Sequence, residues 1–285
     1  MTPEPARLRR AFDRTAAHHA EEAVLAQEIG RRLFDHLNFL KPSPRRLLDL
    51  GAATGTAGED LRRLFPGAEI LSVDFAFALL RANPWKPRPW WRFGPEDVRH
   101  ALCARAEQLP FAAGSIDLVW ANLLLPSCDP ESVIREVQRV LAPEGLFIFS
   151  TLGPDTLKEL KQVFAHSPDG CDHLQEFADM HDVGDALVHA GFSDPVMDRE
   201  DLTVTYPGLS ALLRDLRLLG GVNTLPGRRR GLTGRRRWRS LETAYERLRT
   251  ATGLPATFEI VYGHAWKPAR RAMPDGRPII GLTPA

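Results

Sequence analysis

The sequence contains few cysteines and no long apolar segment, and these absences exclude several classes of protein. Its 285 residues include only three cysteines, and their wide separation fits neither a zinc motif nor a disulfide framework. No segment approaches the roughly 20 apolar residues of a membrane-spanning helix. The first residues, MTPEPARLRRAFDRTAA, lack the apolar core of a secretory signal. We therefore expect a reduced, cytoplasmic protein that does not associate with a membrane.

The sequence also lacks a strong excess of one charge. Its 37 Lys and Arg residues nearly balance 36 Asp and Glu, so the whole chain is not a nucleic-acid-binding polycation. The exception is Arg228–Arg239, RRRGLTGRRRWR, which fits a solvated loop, a nucleic-acid contact or a docking surface for an acidic protein. The histidines do not pair at helical spacing with an acidic partner, so we expect no metal site.

The first half of the chain contains segments with helical spacing of apolar residues and segments typical of buried strands. Apolar residues recur at helical spacing over residues 6–40, which predicts one or two N-terminal helices. Apolar strands then alternate with amphipathic helices up to residue 152, which predicts a doubly wound, mostly parallel sheet. The predicted strands are 45–50, 68–74, 98–104, 115–125 and 146–152, and the predicted helices are 55–65, 75–83 and 129–145.

In the second half of the chain, the predicted strands and helices no longer alternate regularly. Helices are predicted at 154–164, 181–192, 209–220 and 241–253, and two further strands at 199–208 and 256–266 bring the total to seven. We divide the chain into an N-terminal helical cap (1–40) and a main domain (41–268). The main domain carries a helical, Arg-rich insertion before the last strand (207–253), and residues 269–285 form a loose tail.

The stretch LLDLGAATGTAG, residues 47–58, joins the first strand to its helix. A Gly-rich turn before a helix lets a ligand approach the backbone, although a plain strand-to-helix turn explains the stretch alone about equally well. The second strand closes with Asp74, where a carboxylate can accept both hydroxyls of a ribose. The combination favours a nucleoside site. The acid that ends the first strand and the small residues after it are Asp49, Gly51, Ala53 and Gly55.

Several motifs together resemble a known family. LDLGAATG, LSVDFA, AEQLPFAAGSIDLVWANLLL and REVQRVLAPEGLFIFSTL are similar to the class I S-adenosylmethionine (SAM)-dependent methyltransferases of the UbiE-like branch. The flanking FDRTAAHHAEEAVLAQEIGRRL, TLGPDTLKELKQVF and LPATFEIVYGHAWKP resemble the malonyl-acyl-carrier-protein O-methyltransferases of biotin synthesis. They also resemble mitochondrial complex I assembly factors of the same architecture.

The resemblance implies a Rossmann-like, seven-stranded α/β fold and SAM as the cofactor. It implies that the glycine loop and Asp49 line the methionine part of SAM and that Asp74 holds the ribose. Glu107 would lie beside the adenine, and Asn122 would face the transferable methyl group. The chain departs from the pattern where Ala53 replaces a glycine, Arg105 replaces a common acid, and His19 replaces a tyrosine that often covers the cofactor.

Methylation of a carboxylate demands little acid–base chemistry, because the carboxylate is already ionised at pH 7. The protein must fix that group and exclude water. The candidates for fixing it lie on the helix 209–220 and near the ends of the two late strands, although each also has an ordinary structural explanation. They are Arg214, Tyr206, Tyr262 and His264.

Three functions are compatible with these features. The first is methyl transfer from SAM to the free carboxylate of malonyl-acyl carrier protein, with the acidic carrier docked on Arg228–Arg239. The second is a complex I assembly factor of the type that hydroxylates an Arg of a partner protein. The third is a binding protein whose cofactor site has decayed, which the changes at Ala53, Arg105 and His19 would explain.

Overall fold

A single seven-stranded sheet organises the chain in the computed structural model. The structure describes residues 4–82, 99–165, 171–220 and 233–269, together with 223, 225, 227–229 and 231. The predicted tail from residue 270 onward lies outside the described residues. The strands are β1 (Arg46–Leu50), β2 (Glu69–Asp74), β3 (Arg99–Cys103), β4 (Ile116–Asn122), β5 (Leu141–Leu152), β6 (Ser193–Tyr206) and β7 (Leu254–Trp266).

The sheet has the strand order β3-β2-β1-β4-β5-β7-β6. Pairing is parallel from β3 to β5, whereas β7 runs antiparallel to both of its neighbours. The predicted mostly parallel, seven-stranded class I architecture is therefore confirmed. The order reverses between β1 and β4, and open α/β sheets bind ligands at such a reversal, beyond the carboxyl ends of the strands.

Helices cover both faces of the sheet. They are α1 (Pro5–Glu22), α2 (Val24–Leu40), α3 (Ala57–Leu64), α4 (Phe77–Arg81), α5 (Pro130–Val140), α6 (Lys158–Ala165), α7 (Met180–His189), α8 (Leu209–Leu218) and α9 (Arg235–Glu246). Alternate strand residues supply two separate cores, since Leu47 packs in one cluster and Leu48 in the other. A strand buried on both faces carries apolar residues at consecutive positions, as at Leu47 and Leu48 of β1 and at Leu146 and Phe147 of β5.

Several element boundaries differ from the sequence prediction. Helix α5 starts as predicted, with Asp129 accepting the Ser132 amide at 3.1 Å, but it ends at Val140 and β5 begins at once. The predicted Pro-Glu-Gly stop therefore lies inside β5. Strand β6 begins at Ser193, six residues before the prediction. The predicted Arg-rich loop is wrong in its second half, because Arg235–Arg239 form the first turns of α9.

Two predicted absences can be examined only within the described residues. None of the helices there combines the length and apolarity needed to cross a membrane. The same part of the chain contains no cluster of three His, Cys, Asp or Glu side chains suited to a metal ion. The cytoplasmic location and the domain boundaries stay predictions.

Candidate active site

Two adjoining cavities open at the carboxyl ends of β1, β2 and β4. The first, which we call the central cavity, is bordered by Asp49, Asn122 and the glycine loop, under α1 and the end of α8. The second, the side cavity, lies between Phe75 and Glu107. Both cavities border Asp74, so they lie side by side at the predicted edge of the sheet, and we refer to the two together as the cleft.

The glycine loop turns sharply at three left-handed residues. Gly51, Ala53 and Gly55 have φ angles of 76°, 47° and 72°. The loop lies against β2, because the amides of Gly51 and Ala52 donate to the Val73 carbonyl at 2.8 and 3.0 Å. Gly55 donates to the Ala52 carbonyl at 2.7 Å and closes the turn without bordering either cavity.

Ala53 occupies a backbone conformation that usually selects glycine. Its side chain packs in a small apolar cluster with Ala16, Leu79 and Phe12, while the residue also borders the central cavity. A left-handed conformation costs an alanine roughly 1–2 kcal/mol. Packing of the methyl group contributes about 0.8 kcal/mol in the opposite direction. The replacement of glycine is therefore partly compensated by contacts to α1 and α4.

We expect Ala53→Gly to change the free energy of unfolding by less than about 1 kcal/mol. Relief of backbone strain is offset by the lost methyl contact and by the greater chain entropy of glycine. Ala53→Val should instead destabilise the protein by about 2 kcal/mol or more, because a β-branched residue is a true outlier at positive φ. Urea unfolding of both variants measures the difference, and equal losses would contradict the compensation.

Asp74 is held in a fixed orientation by the backbone. Its Oδ2 accepts the Ala53 amide at 2.9 Å and its Oδ1 accepts the Ala76 amide at 2.8 Å. Burial raises the pKa of Asp74, and these backbone hydrogen bonds only partly oppose the rise. The carboxyl group thus stands preoriented at the junction of the two cavities, where the sequence predicts the ribose.

Three residues that border the central cavity each have one buried polar atom without a hydrogen-bond partner. The atoms are Asp49 Oδ2, His19 Nδ1 and Trp120 Nε1. Burial, followed by the nearby charge of Asp74, raises the pKa of Asp49 to about 7. Buried polar atoms normally have partners, so an unpaired set at one cavity indicates a ligand with both donor and acceptor groups. The amino-acid end of SAM has both.

The side cavity carries the two charged residues predicted near the adenine. Glu107 is largely buried, with 19% of its side chain exposed, and it pairs with the exposed Arg105 at 3.2 Å. Arg105 therefore neutralises Glu107 at the rim of the side cavity. The Cys128 thiol borders the same cavity, and burial raises its pKa, which keeps it protonated.

Asn122 connects the tip of β4 to α2. Its Nδ2 donates to the Ala26 carbonyl at 2.8 Å, and its Oδ1 accepts the Ser150 hydroxyl at 2.7 Å. A Cβ at Gly30 would approach Asn122 Nδ2 to 3.1 Å, so glycine lets α2 pack this closely. Asn122 borders the central cavity as predicted, and it also positions α2 over it.

Helix α1 and the end of α8 cover the cleft. Phe12 and His19 of α1 border the central cavity together with Leu218 and Leu219. The two helices meet closely at Gly220, where a Cβ would lie 2.4 Å from the Phe12 ring. This cover separates the cleft from solvent on the side of the N-terminal helices.

The four predicted catalytic residues do not border the cleft. Arg214 is exposed on α8, and Tyr206 donates its hydroxyl to Asp215 Oδ2 at 3.0 Å. Tyr262 is buried and stacks on His36 at 4.8 Å. His264 is half-buried nearby, and burial, followed by the adjacent His36, lowers its pKa. The structure therefore brings none of the four to the two cavities.

Sequence reasoning missed several residues that border the central cavity, among them Phe12, Trp120 and Leu218. Trp120 could have been found from strand pairing, since β1 and β4 place it beside Asp49. The sequence around Phe12 and Leu218 contains no feature that predicts their place at the cavity. Their positions depend on how α1 and α8 pack over the sheet, which local periodicity does not determine.

Comparisons with known proteins agree with this geometry. A family model described as "Methyltransferase domain" matches residues 48–149. In fold, the chain is similar to the YcgJ protein of Bacillus subtilis, with a TM-score of 0.56 at 16% identity, covering 83% of this chain and 97% of that one. A putative methyltransferase from Bacillus halodurans gives the same TM-score at 15% identity, with 84% and 99% covered.

Two bacterial relatives match nearly the whole chain. The "Malonyl-[acyl-carrier protein] O-methyltransferase" of Laribacter hongkongensis is 46% identical, covering 99% of this chain and 96% of that protein. The protein of the same name from Gallionella capsiferriformans is also 46% identical, covering 96% of this chain and 94% of that one. The glycine loop, the acids at the carboxyl ends of β1 and β2, and the covering helices all lie within these matches. The chain belongs to the malonyl-[acyl-carrier protein] O-methyltransferase family.

Proposed function

We propose that this protein transfers a methyl group from SAM to the free carboxylate of malonyl-acyl carrier protein, a step of biotin synthesis. The observation that carries the proposal is near full-length similarity to relatives of that name, combined with a cleft suited to a cationic nucleoside. Near full-length similarity to these relatives favours the proposal over the assembly-factor alternative. The acids of the predicted cofactor site all border the cleft, which favours it over a decayed site.

The residues of the cleft fit SAM. Bound SAM supplies an electrophilic methyl group on a positively charged sulfur. Asp74 would hold the ribose, the side cavity near Glu107 would take the adenine, and Asp49 would face the amino-acid end. Among the described residues that border the central cavity, two are carboxylic acids and none is Lys or Arg, which favours a cation.

The protein's contribution to the reaction is alignment rather than proton transfer. The malonyl carboxylate is ionised at neutral pH, so it needs no general base. It must be held in line with the methyl–sulfur bond and shielded from water, and the cover formed by α1 and α8 can provide that shielding. Because the described residues that border the central cavity include no Lys or Arg, uncharged donors such as Trp120 Nε1 and the Ser127 hydroxyl are the candidates for orienting the carboxylate.

The Arg-rich segment is the proposed docking surface for the acidic carrier. Arg235, Arg236 and Arg239 are exposed at the start of α9. The first turn of α9 contains no acidic residue, although a helix N-terminus favours acids by roughly 0.3–1 kcal/mol each. An acidic partner would compensate this unfavourable placement. Arg228 has a different role, since it is largely buried and pairs with Glu4 at 3.5 Å.

The proposed reaction can be tested by incubating the purified protein with SAM and malonyl-acyl carrier protein. Mass spectrometry should show a gain of one methyl group on the malonyl thioester, and mild saponification should remove it. Acetyl-acyl carrier protein, which lacks the free carboxylate, is the matched control. Methylation of both carriers, or of neither while SAM binds, would refute the substrate assignment.

SAM binding should become tighter as the pH rises through neutrality. Asp49, with a pKa of about 7, holds its proton below that pH, and a cationic ligand binds the ionised form more strongly. Affinity should increase about tenfold per pH unit below pH 7 and level off above it. Burial lowers the pKa of His19, so protonation of that ring on acidification would act in the same direction. Burial also raises the pKa of Asp74, and protonation of Asp74 on acidification would likewise weaken SAM binding.

Calorimetric titration in buffers of different ionisation enthalpy checks this expectation. Binding should release close to one proton at acidic pH and almost none at alkaline pH. An affinity that falls as the pH rises would contradict it.

A further inference from the structure

The outer face of α1 carries three arginines without an acidic partner. Arg7, Arg10 and Arg14 are exposed, and their spacing of three and four residues places them on one face of the helix. Within the described part of the chain, none of the three takes part in an ion pair. The whole chain has a net charge of only +1, so this concentration of positive charge is local.

The order of charges along α1 differs from that of other helices in the sheet's two layers. The exposed Arg31 of α2 pairs with Glu28 at 2.9 Å, and Arg135 of α5 pairs with Glu131 at 3.3 Å. In contrast, α1 has no acid in its first turn, where Arg7 lies, and its last two residues are glutamates. This order opposes the helix macrodipole, which costs roughly 0.3–1 kcal/mol for each misplaced charge. Binding of an acidic partner would offset that cost.

The inner face of the same helix borders both cavities. Phe12 and His19 border the central cavity, and Ala6 and Leu8 border the side cavity. An α-helix with its side chains is about 10–12 Å across. A partner on the outer face is therefore held about one helix diameter from the predicted cofactor site.

The beginning of α1 adjoins the docking surface proposed above. Glu4, which immediately precedes the helix, pairs with Arg228 at 3.5 Å. Arg228 begins the Arg-rich segment that continues into α9. The arginines of α1 therefore extend the positive charge of that segment onto the helix that covers the cleft.

The packing of α1 determines which class of partner fits its outer face. Leu8 and Ala16 are buried against the protein, so the apolar face of this helix is not available to insert into a membrane. The face that remains for contact is charged, and its arginines complement the carboxylates of an acidic protein surface.

We propose that Arg7, Arg10 and Arg14 form a second contact surface for the acidic carrier protein, on the outside of the cover itself. The inference rests on the proposed function, since the partner is the protein that carries the substrate. It adds that the carrier docks on α1 as well as on α9, so that the thioester is delivered beside the helix that shields the reaction from water.

The variant Arg7→Glu/Arg14→Glu tests this contact. The KM for malonyl-acyl carrier protein should rise by about 10–100-fold, and the effect should fade as salt screens the charges. The affinity for S-adenosylhomocysteine should stay within about twofold of the parent value, because neither residue borders either cavity. Arg10 lies three residues after one substituted position and four before the other, so it can pair with either glutamate and support the helix. Arg63→Glu/Arg135→Glu, the same change of charge on α3 and α5, is the control and should leave the KM within about twofold.

The outcomes separate this inference from the proposed function. An unchanged KM in the α1 variant, or an equal rise in the control, would overturn the inference and leave the proposed function standing. A parallel loss of S-adenosylhomocysteine affinity would also overturn it, since α1 would then act through the cover and not through the carrier. Absence of methyl transfer by the parent protein would overturn both.

Two further measurements complete the test. If the glutamate variant unfolds, Arg7→Gln/Arg14→Gln decides, because glutamine keeps the helix propensity and removes the charge. It should raise the KM by about 3–10-fold, and an unchanged KM refutes docking on α1. Binding of the parent to phosphatidylglycerol vesicles that the α1 variant loses, with no change in KM, would assign this face to a membrane surface and overturn the inference.

Discussion

Asp49→Asn is expected to weaken SAM binding by about 100-fold or more while making the ligand-free protein more stable to heat. The loss of affinity follows because the variant removes the buried negative charge at the cavity, and a hydrogen bond to a charged group contributes roughly 1.5–3 kcal/mol. Loss of the charge–charge attraction to the cationic ligand adds to it. Calorimetric titration with SAM measures this effect directly.

The gain in stability has a separate cause. Burial, together with Asp74, raises the pKa of Asp49 from 3.8 to about 7 in the folded protein. Between these values the unfolded chain releases the proton and the folded chain retains it, so stability falls as the pH rises from about 4 to about 7 and stays low above that. An uncharged Asn removes this penalty, which amounts to at most about 4 kcal/mol above pH 7. The melting temperature should therefore rise most at alkaline pH.

The opposite signs of the two effects make the experiment discriminating. Asp185→Asn, at an exposed position on α7, is the matched control and should change neither affinity nor stability. A variant that loses both SAM binding and stability would show that Asp49 supports the fold rather than the ligand. A variant that keeps full SAM affinity would place the cofactor away from β1.

The double variant Arg235→Glu/Arg236→Glu is expected to raise the KM for malonyl-acyl carrier protein by about 10–100-fold without changing kcat. Reversal of two exposed charges would repel an acidic partner and slow its association, and the effect should fade as salt screens the charges. Malonyl-coenzyme A, which lacks the protein surface of the carrier, should show a KM within about twofold of the parent value.

The same substitutions should not damage the fold. Both positions lie in the first turn of α9, where the helix macrodipole favours acids, so each Glu should stabilise the helix by roughly 0.3–1 kcal/mol. Arg63→Glu/Arg135→Glu is the charge-matched control, because these exposed arginines lie on α3 and α5, outside the proposed docking surface. An equal rise in KM for the control pair would show that the change in net charge of the protein, and not the position of the arginines on α9, causes the effect. An unchanged KM in the α9 variant would refute docking there.

The sequence by itself determined the class of fold and the acidic part of the site. Alternating apolar strands and amphipathic helices require a parallel sheet covered on both faces, and residues that end parallel strands converge on one edge. Asp49, Asp74 and the glycine loop follow from that rule, and the structure places them around one cleft. The resemblance to a methyltransferase family rested on the same local motifs.

The tertiary structure decided what lies above that edge. The closeness of α1 to α8, the packing of the Ala53 methyl group and the unpaired Nδ1 of His19 all arise from contacts between distant segments. Tyr206 was a plausible catalytic residue by its place near a strand end, but its hydroxyl is bonded to Asp215 on α8. Local periodicity shows which residues share a face of an element. It does not show what that face packs against, because partner choice is a property of the whole chain.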